Sequence, residues 1–436
     1  MKSAGCILMT IVLFAGLQHA IAQVPFVLAS MPNLGSRVSS VVTVDVNGDG
    51  KPDLIGARPT ANAVTVFTNG GNGSFASNAT YTVGPNPAQV IAADVNNDGA
   101  PDLITVSETV DSLTVLTNDG TGRFALAATV NLIRGSDPRS VAAADVNGDG
   151  WVDLIGANYN AGSITVWTNS SGIFGSNATY AVSGPVFILA QDVNGDGLVD
   201  LAVAAASVHR LVVLTNDGSG GFVLATSLVT LIGPSCITAA DVDGDGTPDL
   251  IGASTAVNQV AVWTNVGSGS FGLKTTYTPG SNPTTVMAAD VNGDENPDLV
   301  TGNLSGRSLT VLTNNGTGVF ATNATLNATN EVSAIAAADL NGDGRVDLVA
   351  GSTGTGIVLV FTNAATFLPR LTLKRSGTNN IVSWPAIWAS WTLRQNTGLD
   401  PAGWTVFGGS IGNDGTTKSA TNSSLAGNRF FRLSNP

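Results

Sequence analysis

One acidic decapeptide, Asp45-Val46-Asn47-Gly48-Asp49-Gly50-Lys51-Pro52-Asp53-Leu54, constrains this chain more than any other feature, because it returns six more times. The copies open at Asp45, Asp94, Asp145, Asp192, Asp241, Asp290 and Asp339, at intervals of 49, 51, 47, 49, 49 and 49 residues. A near-constant period of this length belongs to stacked or circular repeat architectures, in which each repeat buries its apolar face against its neighbours.

Within each copy, oxygen-bearing side chains fall at loop positions 1, 3, 5 and 9. They are Asp45, Asn47, Asp49 and Asp53 in the first, Asp94, Asn96, Asp98 and Asp102 in the second, and Asp145, Asn147, Asp149 and Asp153 in the third. Asp192, Asn194, Asp196 and Asp200 form the fourth, and Asp241, Asp243, Asp245 and Asp249 the fifth. Asp290, Asn292, Asp294 and Asp298 form the sixth, and Asp339, Asn341, Asp343 and Asp347 the seventh. Hard oxygens crowded this closely suit Ca²⁺, which takes about six to eight oxygen ligands at roughly 2.3–2.6 Å. Position 6 is glycine except at Glu295, and glycine lets the chain turn where a side chain would clash. An EF-hand needs a bidentate Glu at position 12 and flanking helices, whereas position 12 here is Gly56, Thr105 or Gly156 in the first three copies. The flanks, Val41-Val42-Thr43-Val44 and Leu54-Ile55, read as strands, so the loop caps a β-hairpin. Asp, Asn and Gly also make ordinary turns. Seven copies with all four positions filled go beyond what a turn requires.

On these residues the chain resembles the FG-GAP or VCBS repeat, the calcium-loop propeller repeat also seen in integrin α-subunit heads. The resemblance covers roughly residues 26–367. It implies a β-propeller with up to seven Ca²⁺, one per loop, and it implies no single activity.

Each repeat divides into four strand-like runs, as a propeller blade requires. The run before the loop is rich in small residues, such as Val141-Ala142-Ala143-Ala144, and suits an innermost strand crowded at the axis. The run that leaves the loop, such as Asp153-Leu154-Ile155-Gly156-Ala157, is second. A third run, such as Ile164-Thr165-Val166-Trp167, is apolar on both faces and closes with Thr-Asn, which predicts cover on both sides. Trp167 and Trp263 share their slot with Phe67, Leu116, Leu214, Leu312 and Phe361, which points to packing rather than to sugar platforms. A more polar fourth run follows a phenylalanine: Phe75, Phe124, Phe174, Phe222, Phe271 or Phe320. Phe26 lies 19 residues before Asp45, as Phe75 lies 19 before Asp94, so residues 26–36 read as a fourth strand with no blade of their own. The predicted fold is therefore all-β: a seven-bladed propeller with four-stranded blades, its last blade closed by the N-terminal strand.

Residues 1–22 carry Lys2, an apolar run over 7–17 and Ala20-Ile21-Ala22, the pattern of a secretory signal peptide cleaved before Gln23. The expected organisation is a signal peptide over 1–22, a propeller over 23–369 and a C-terminal β-sandwich-like module over 370–436. That module holds Trp384, Trp388, Trp391 and Trp404, and it resembles the compact β-modules at the ends of some secreted bacterial proteins. Sorting, surface attachment and sugar binding all stay open for it. Cys6 leaves with the signal, so Cys236 remains alone and no intramolecular disulfide forms.

Of 31 acidic residues, 22 occupy the metal-ligand positions, and 14 positive charges from seven Ca²⁺ would turn the net −13 into +1. The acidity is a metal-loop signature and implies neither a nucleic-acid nor a membrane partner. Export to the outside or the cell surface is expected, with no transmembrane span after signal cleavage and a monomeric chain. The expected function is a calcium-binding scaffold for adhesion or for binding an extracellular glycan or protein. A lectin proper is one alternative, and a polysaccharide-active lyase or hydrolase is another, since fold does not fix function. Catalysis is not expected. The mature chain's one histidine is His209, and the other nine carboxylates, Glu108, Asp111, Asp119, Asp137, Asp217, Glu295, Glu331, Asp400 and Asp414, form no acid/base motif.

Overall fold

The computed structural model describes residues 23–229, 232–365, 372–376, 379–385, 392–396, 405–413, 417–423 and 430–434. The predicted signal peptide, with Trp388, Trp391, Trp404, Asp400 and Asp414, lies outside these residues. The repeat folds as one antiparallel sheet. In blade 1 the inner strand Ser40–Val44, the second Asp53–Arg58, the third Ala63–Asn69 and the outer Phe75–Thr82 pair in chain order. Five further blades repeat this pattern.

The seventh blade is completed from the other end of its chain segment. Val332–Ala338, Asp347–Ser352 and Val358–Asn363 supply three strands, and Phe26–Ser30 supplies the outer one, with Phe26 opposite Asn363. Past a bulge at Ser30 the seam continues: Leu34 N–H donates to the Gly356 carbonyl at 2.8 Å, and Val358 N–H donates to the Pro32 carbonyl at 2.9 Å. The result is a closed seven-bladed propeller. Closure pairs two strand edges that would otherwise face water.

The core lies between blades. Successive strand residues point to opposite faces, and here each face meets a different neighbour. Ile55, Ala57, Val64 and Val66 pack against Leu103, Leu116 and Phe124 of blade 2, whereas Leu54 and Phe67 pack against Val349, Val358 and Val360 of blade 7. Seven such clusters, one per interface, account for the apolar third strands. Trp167 and Trp263 are 4% and 3% exposed and belong to these clusters, as the packing-slot reading expects. Trp167 fits because its opposite strand offers glycine: a Cβ on Gly156 would lie 2.8 Å from the indole ring.

Three outer strands add a polar tie between blades. The Tyr81, Tyr180 and Tyr277 hydroxyls accept the N–H of Phe124, Phe222 and Phe320 at 2.9–3.2 Å, each ring packing edge-on against that phenylalanine.

The propeller unit runs from Gln23 to Ala365, and a second unit contains Thr366–Pro436. In the latter, Thr372–Ser376, Asn379–Pro385, Thr417–Ser423 and Ile411–Asn413 form one sheet, and Thr405–Val406, Thr392–Asn396 and Phe430–Ser434 a second. Val382, Trp384 and Ala420 of the first pack with Leu393 and Phe407, so Trp384 is core.

Deleting residues 26–36 should abolish cooperative unfolding or soluble expression, because it opens the ring and strips the outer strand from blade 7. Deleting residues 370–436 should leave the propeller transition within a few degrees of the full chain. Thermal melts of the two truncations followed by circular dichroism check this, and equal damage from both would refute the role given to the seam.

Candidate metal loops

Each decapeptide spans the turn between an inner strand and the first residue of the second strand. The position-1 carboxylate organises the turn. Asp45 Oδ1 accepts the Gly48 N–H at 2.8 Å and Oδ2 accepts the Gly50 N–H at 2.7 Å. The second of these bonds recurs in every loop at 2.7–2.9 Å. This wrap needs left-handed backbone at two places, position 4 (Gly48, φ 74°) and position 6 (Gly50, φ 78°). Position 4 adds to the position-6 turn expected from the sequence. Glycine stands there in six copies, and the exception, Asn97 at φ 57°, is a residue type that tolerates the conformation. At position 6 of the sixth loop, Glu295 is held at φ 70°.

Position 9 sits differently from the other three. Asp53, Asp102, Asp153, Asp200, Asp249, Asp298 and Asp347 are 0% exposed. In each, Oδ2 accepts the N–H of loop position 2 at 2.9–3.1 Å, as from Val46 to Asp53. Oδ1 accepts the N–H of the asparagine near the end of the third strand at 2.7–2.9 Å.

Those asparagines carry the network onward. Nδ2 of Asn69, Asn118, Asn169, Asn216, Asn265, Asn314 and Asn363 donates at 2.7–2.9 Å to the position-2 carbonyl in the loop of the preceding blade. Asn69 reaches Leu340 of blade 7, so the chain of bonds closes across the seam. The recurring Thr-Asn was visible in the sequence. Its partner, about 70 residues earlier, was not.

Burial pushes every position-9 carboxyl above its ordinary range. The two backbone N–H donors oppose this, and nearby loop carboxylates reinforce it. Asp298 is pushed up to about 7 and Asp347 to about 6. In the fifth loop the carboxylates of Asp241, Asp243 and Asp249 converge within 4.8 Å, the one such group among the described residues. Asp245 turns instead to Thr247, whose N–H and hydroxyl it accepts at 2.8 and 2.7 Å. Lys274 Nζ lies 3.4 Å from Asp243 Oδ2 and supplies one neutralising charge.

Two position-3 oxygens, Asp243 Oδ1 and Asn292 Oδ1, are buried and accept no hydrogen bond. A buried acceptor without a donor, ringed by carboxylates, is a place that a hard cation satisfies. The all-oxygen donor set suits such an ion, and positions 1, 3 and 9 of the fifth loop would hold it.

The FG-GAP-like repeat family matches residues 45–105, 94–156, 192–252, 241–301 and 290–350, each span running from one acidic loop to just past the next. The chain belongs to this family. Several solved structures share the fold of this FG-GAP-like propeller. One is BBS1N in complex with ARL6DN, 14% identical over 79% of this chain and 99% of that one, with a TM-score of 0.59. Virginiamycin B lyase from Staphylococcus aureus is 16% identical over 78% and 99%, with a TM-score of 0.55. A protein from Lactobacillus plantarum is 13% identical over 71% and 89%, with a TM-score of 0.57. No curated protein matches the chain.

Away from the loops, the candidate acid and base groups are engaged in turns and blade-to-blade ties. His209 follows a 3₁₀ turn at φ 55°, and its Nδ1 accepts the Gly233 N–H of blade 5 at 3.0 Å. Asn62, Asp111 and Asn258 make the same tie to the next blade, through the N–H of Asn86, Gly135 and Asn282. The FG-GAP-like propeller thus uses its histidine as one of several interchangeable acceptors. Asp119 and Asp217 cap the turns at Thr121 and Ser219, and Glu331 accepts the Thr353 hydroxyl.

Glu295→Gly should stabilise the protein by about 1 kcal/mol, the cost of holding a side chain in left-handed backbone, and should raise affinity at the sixth loop; denaturant melts and titration calorimetry read both. The buried carboxylates also set a pH dependence. A carboxyl whose pKa is higher folded than unfolded holds its proton more firmly in the native state, so stability falls as pH rises between the two values. Metal-stripped protein should therefore gain stability as pH drops from about 8 to about 5, through the values of Asp298 and Asp347. Melting temperatures across that window test the sign, and a flat or opposite trend would contradict it.

Proposed function

We propose that this chain is an exported, calcium-stabilised propeller that acts as a binding or adhesion scaffold for an extracellular carbohydrate or protein. One observation carries the reading. Each loop crowds three or more carboxylates around a buried position-9 aspartate with at most one ion pair shown per loop, and in the fifth loop Asp241, Asp243 and Asp249 converge with Asp243 Oδ1 accepting no hydrogen bond. Calcium at up to seven such loops neutralises that charge and ties the ends of the inner and second strands together. The signal-like segment over 1–22 supports export to a setting where free calcium is abundant enough for weak sites. No helix among the described residues is long and apolar enough to cross a membrane.

Binding without turnover is favoured by how the reactive groups are used. His209, Asp111, Asp119, Asp217 and Glu331 are engaged in turns and inter-blade ties, and the loop carboxylates serve the cation. The complex of BBS1N with ARL6DN is a case of this fold holding a protein partner. Virginiamycin B lyase is a case of it carrying an enzyme, so turnover is the outcome that would replace the reading.

At about 1 mM free calcium and a dissociation constant near ~0.1 mM, each site adds about 1.4 kcal/mol. Restoring calcium to the stripped protein should raise the melting temperature by many degrees, with a stoichiometry above one ion per chain by calorimetry. An unchanged melt would sink the calcium reading. Incubation with plant, algal and microbial polysaccharides should yield no new reducing ends or unsaturated products, and reproducible turnover would install the enzyme.

A further inference from the structure

The seven inner strands begin at a common ring around the axis, at the opposite end from the acidic loops. Six blades place Ser39, Ala88, Val186, Ser235, Thr284 and Ser333 at the equivalent position, and blade 3 places Arg139 there. All seven line one cavity of about 510 Å³, the mouth of the central channel.

The small residues have a structural use. The hydroxyls of Ser39, Ser235, Thr284 and Ser333 lie 2.7–3.3 Å from carbonyls of the next blade, those of Pro87, Pro283, Val332 and Val38, and 3.2–3.5 Å from carbonyls of their own, so each bridges the two. Arg139 makes no such tie. Its Nη2 meets Asp137 Oδ2 at 3.0 Å and its guanidinium lies 3.9 Å from the Tyr159 ring centroid, while Nε is buried and unpaired. One blade therefore gives up a hydroxyl stitch for a long cation held flat at the channel mouth. Arg37 stands at the same mouth with Glu108, whose carboxylate accepts Asn86 Nδ2 at 2.5 Å. Burial pushes the Glu108 carboxyl up, and the charges of Arg139 and Arg37 oppose that shift.

We propose that this mouth is a binding site for a carboxylated sugar, with Arg139 and Arg37 holding the carboxylate and the hydroxyls of Ser39, Ser235, Thr284 and Ser333, with Glu108, accepting from the ring hydroxyls. Arg37 and the donors that Arg139 does not give to Asp137 can meet an anion, and a guanidinium fork matches a carboxylate. Hydroxyls that already donate to carbonyls keep lone pairs for a ligand's O–H groups. The volume suits one or two sugar rings rather than a protein surface. The inference deepens the binding-scaffold reading and depends on it only in taking the protein to hold a ligand.

Titration calorimetry of the mature protein with glucuronate and with a galacturonate dimer tests the site, against glucose, acetate and an oligoglutamate peptide. Saturable uronate binding is expected, with glucose and acetate far weaker. Arg139→Met should weaken uronate binding about 10- to 100-fold, the loss of a charged hydrogen-bonding pair. Arg37→Met should weaken it less, and Arg123→Met, on an outer turn, should leave it unchanged. No uronate binding, binding unaffected by Arg139→Met in a protein that melts like the parent, or preference for oligoglutamate would each overturn the assignment. Calcium-dependent melting is read in parallel. Its loss would count against the metal reading alone, and its retention without uronate binding would count against this site alone.

Discussion

The structure depends on a buried carboxylate that serves two backbones at once. The position-9 aspartate of each loop fixes position 2 of its own loop and the asparagine near the end of its own third strand. The asparagine it orders then reaches back to the loop of the preceding blade. Each unit is local and weak, yet seven of them joined head to tail have no free end. Removing one carboxylate would orphan two buried N–H groups and misplace the donor that the preceding blade uses, so the damage spreads to an interface the residue never touches. A propeller whose blades meet mainly through small and branched apolar side chains gains its angular register from this polar ring.

The same carboxylates create the problem that a cation resolves. Seven charges taken out of water carry a desolvation cost that two N–H donors each only partly offset, and the flanking carboxylates at positions 1 and 5 raise it further. Three loops carry a local remedy: Lys51 beside Asp49 at 3.5 Å, Arg345 beside Asp343 at 2.8 Å, and Lys274, from the outer strand of the same blade, beside Asp243 at 3.4 Å. With charged residues only 11% of the chain, position 7 of the loop carries a cation only in Lys51 and Arg345.

The blade count, the strand order, the seam and the buried tryptophan slot were legible because each is a statement about period and alternation, which a repeated sequence displays directly. Phe26 announced the closing strand by its distance from Asp45, and Phe67 exchanging with Trp167 announced a packing slot. Bonds that cross from one repeat to another were not legible. The Asn169 side chain bonds the Val95 carbonyl, the Tyr81 hydroxyl accepts the Phe124 N–H, and His209 accepts from Gly233. These pairings are set by the angle at which blades meet, and no local pattern encodes that angle. The left-handed position 4 was a different kind of miss, since glycine or asparagine in all seven copies stated it plainly.

The two ends of the inner strands therefore live under different constraints. At the loop end every ligand position also serves a turn or a neighbour, so a change in one copy strains the ring, and the copies stay nearly identical. At the other end the hydroxyl stitches are dispensable one at a time, because Ala88 and Val186 already occupy that ring without one. Variation is tolerated there, and the seven equivalent positions differ within a single cavity, which is the geometric condition for an asymmetric ligand to be recognised by a near-symmetric ring. Arg139 is what that freedom permits: a charge placed on the axis by a scaffold whose rigidity is supplied from the opposite face.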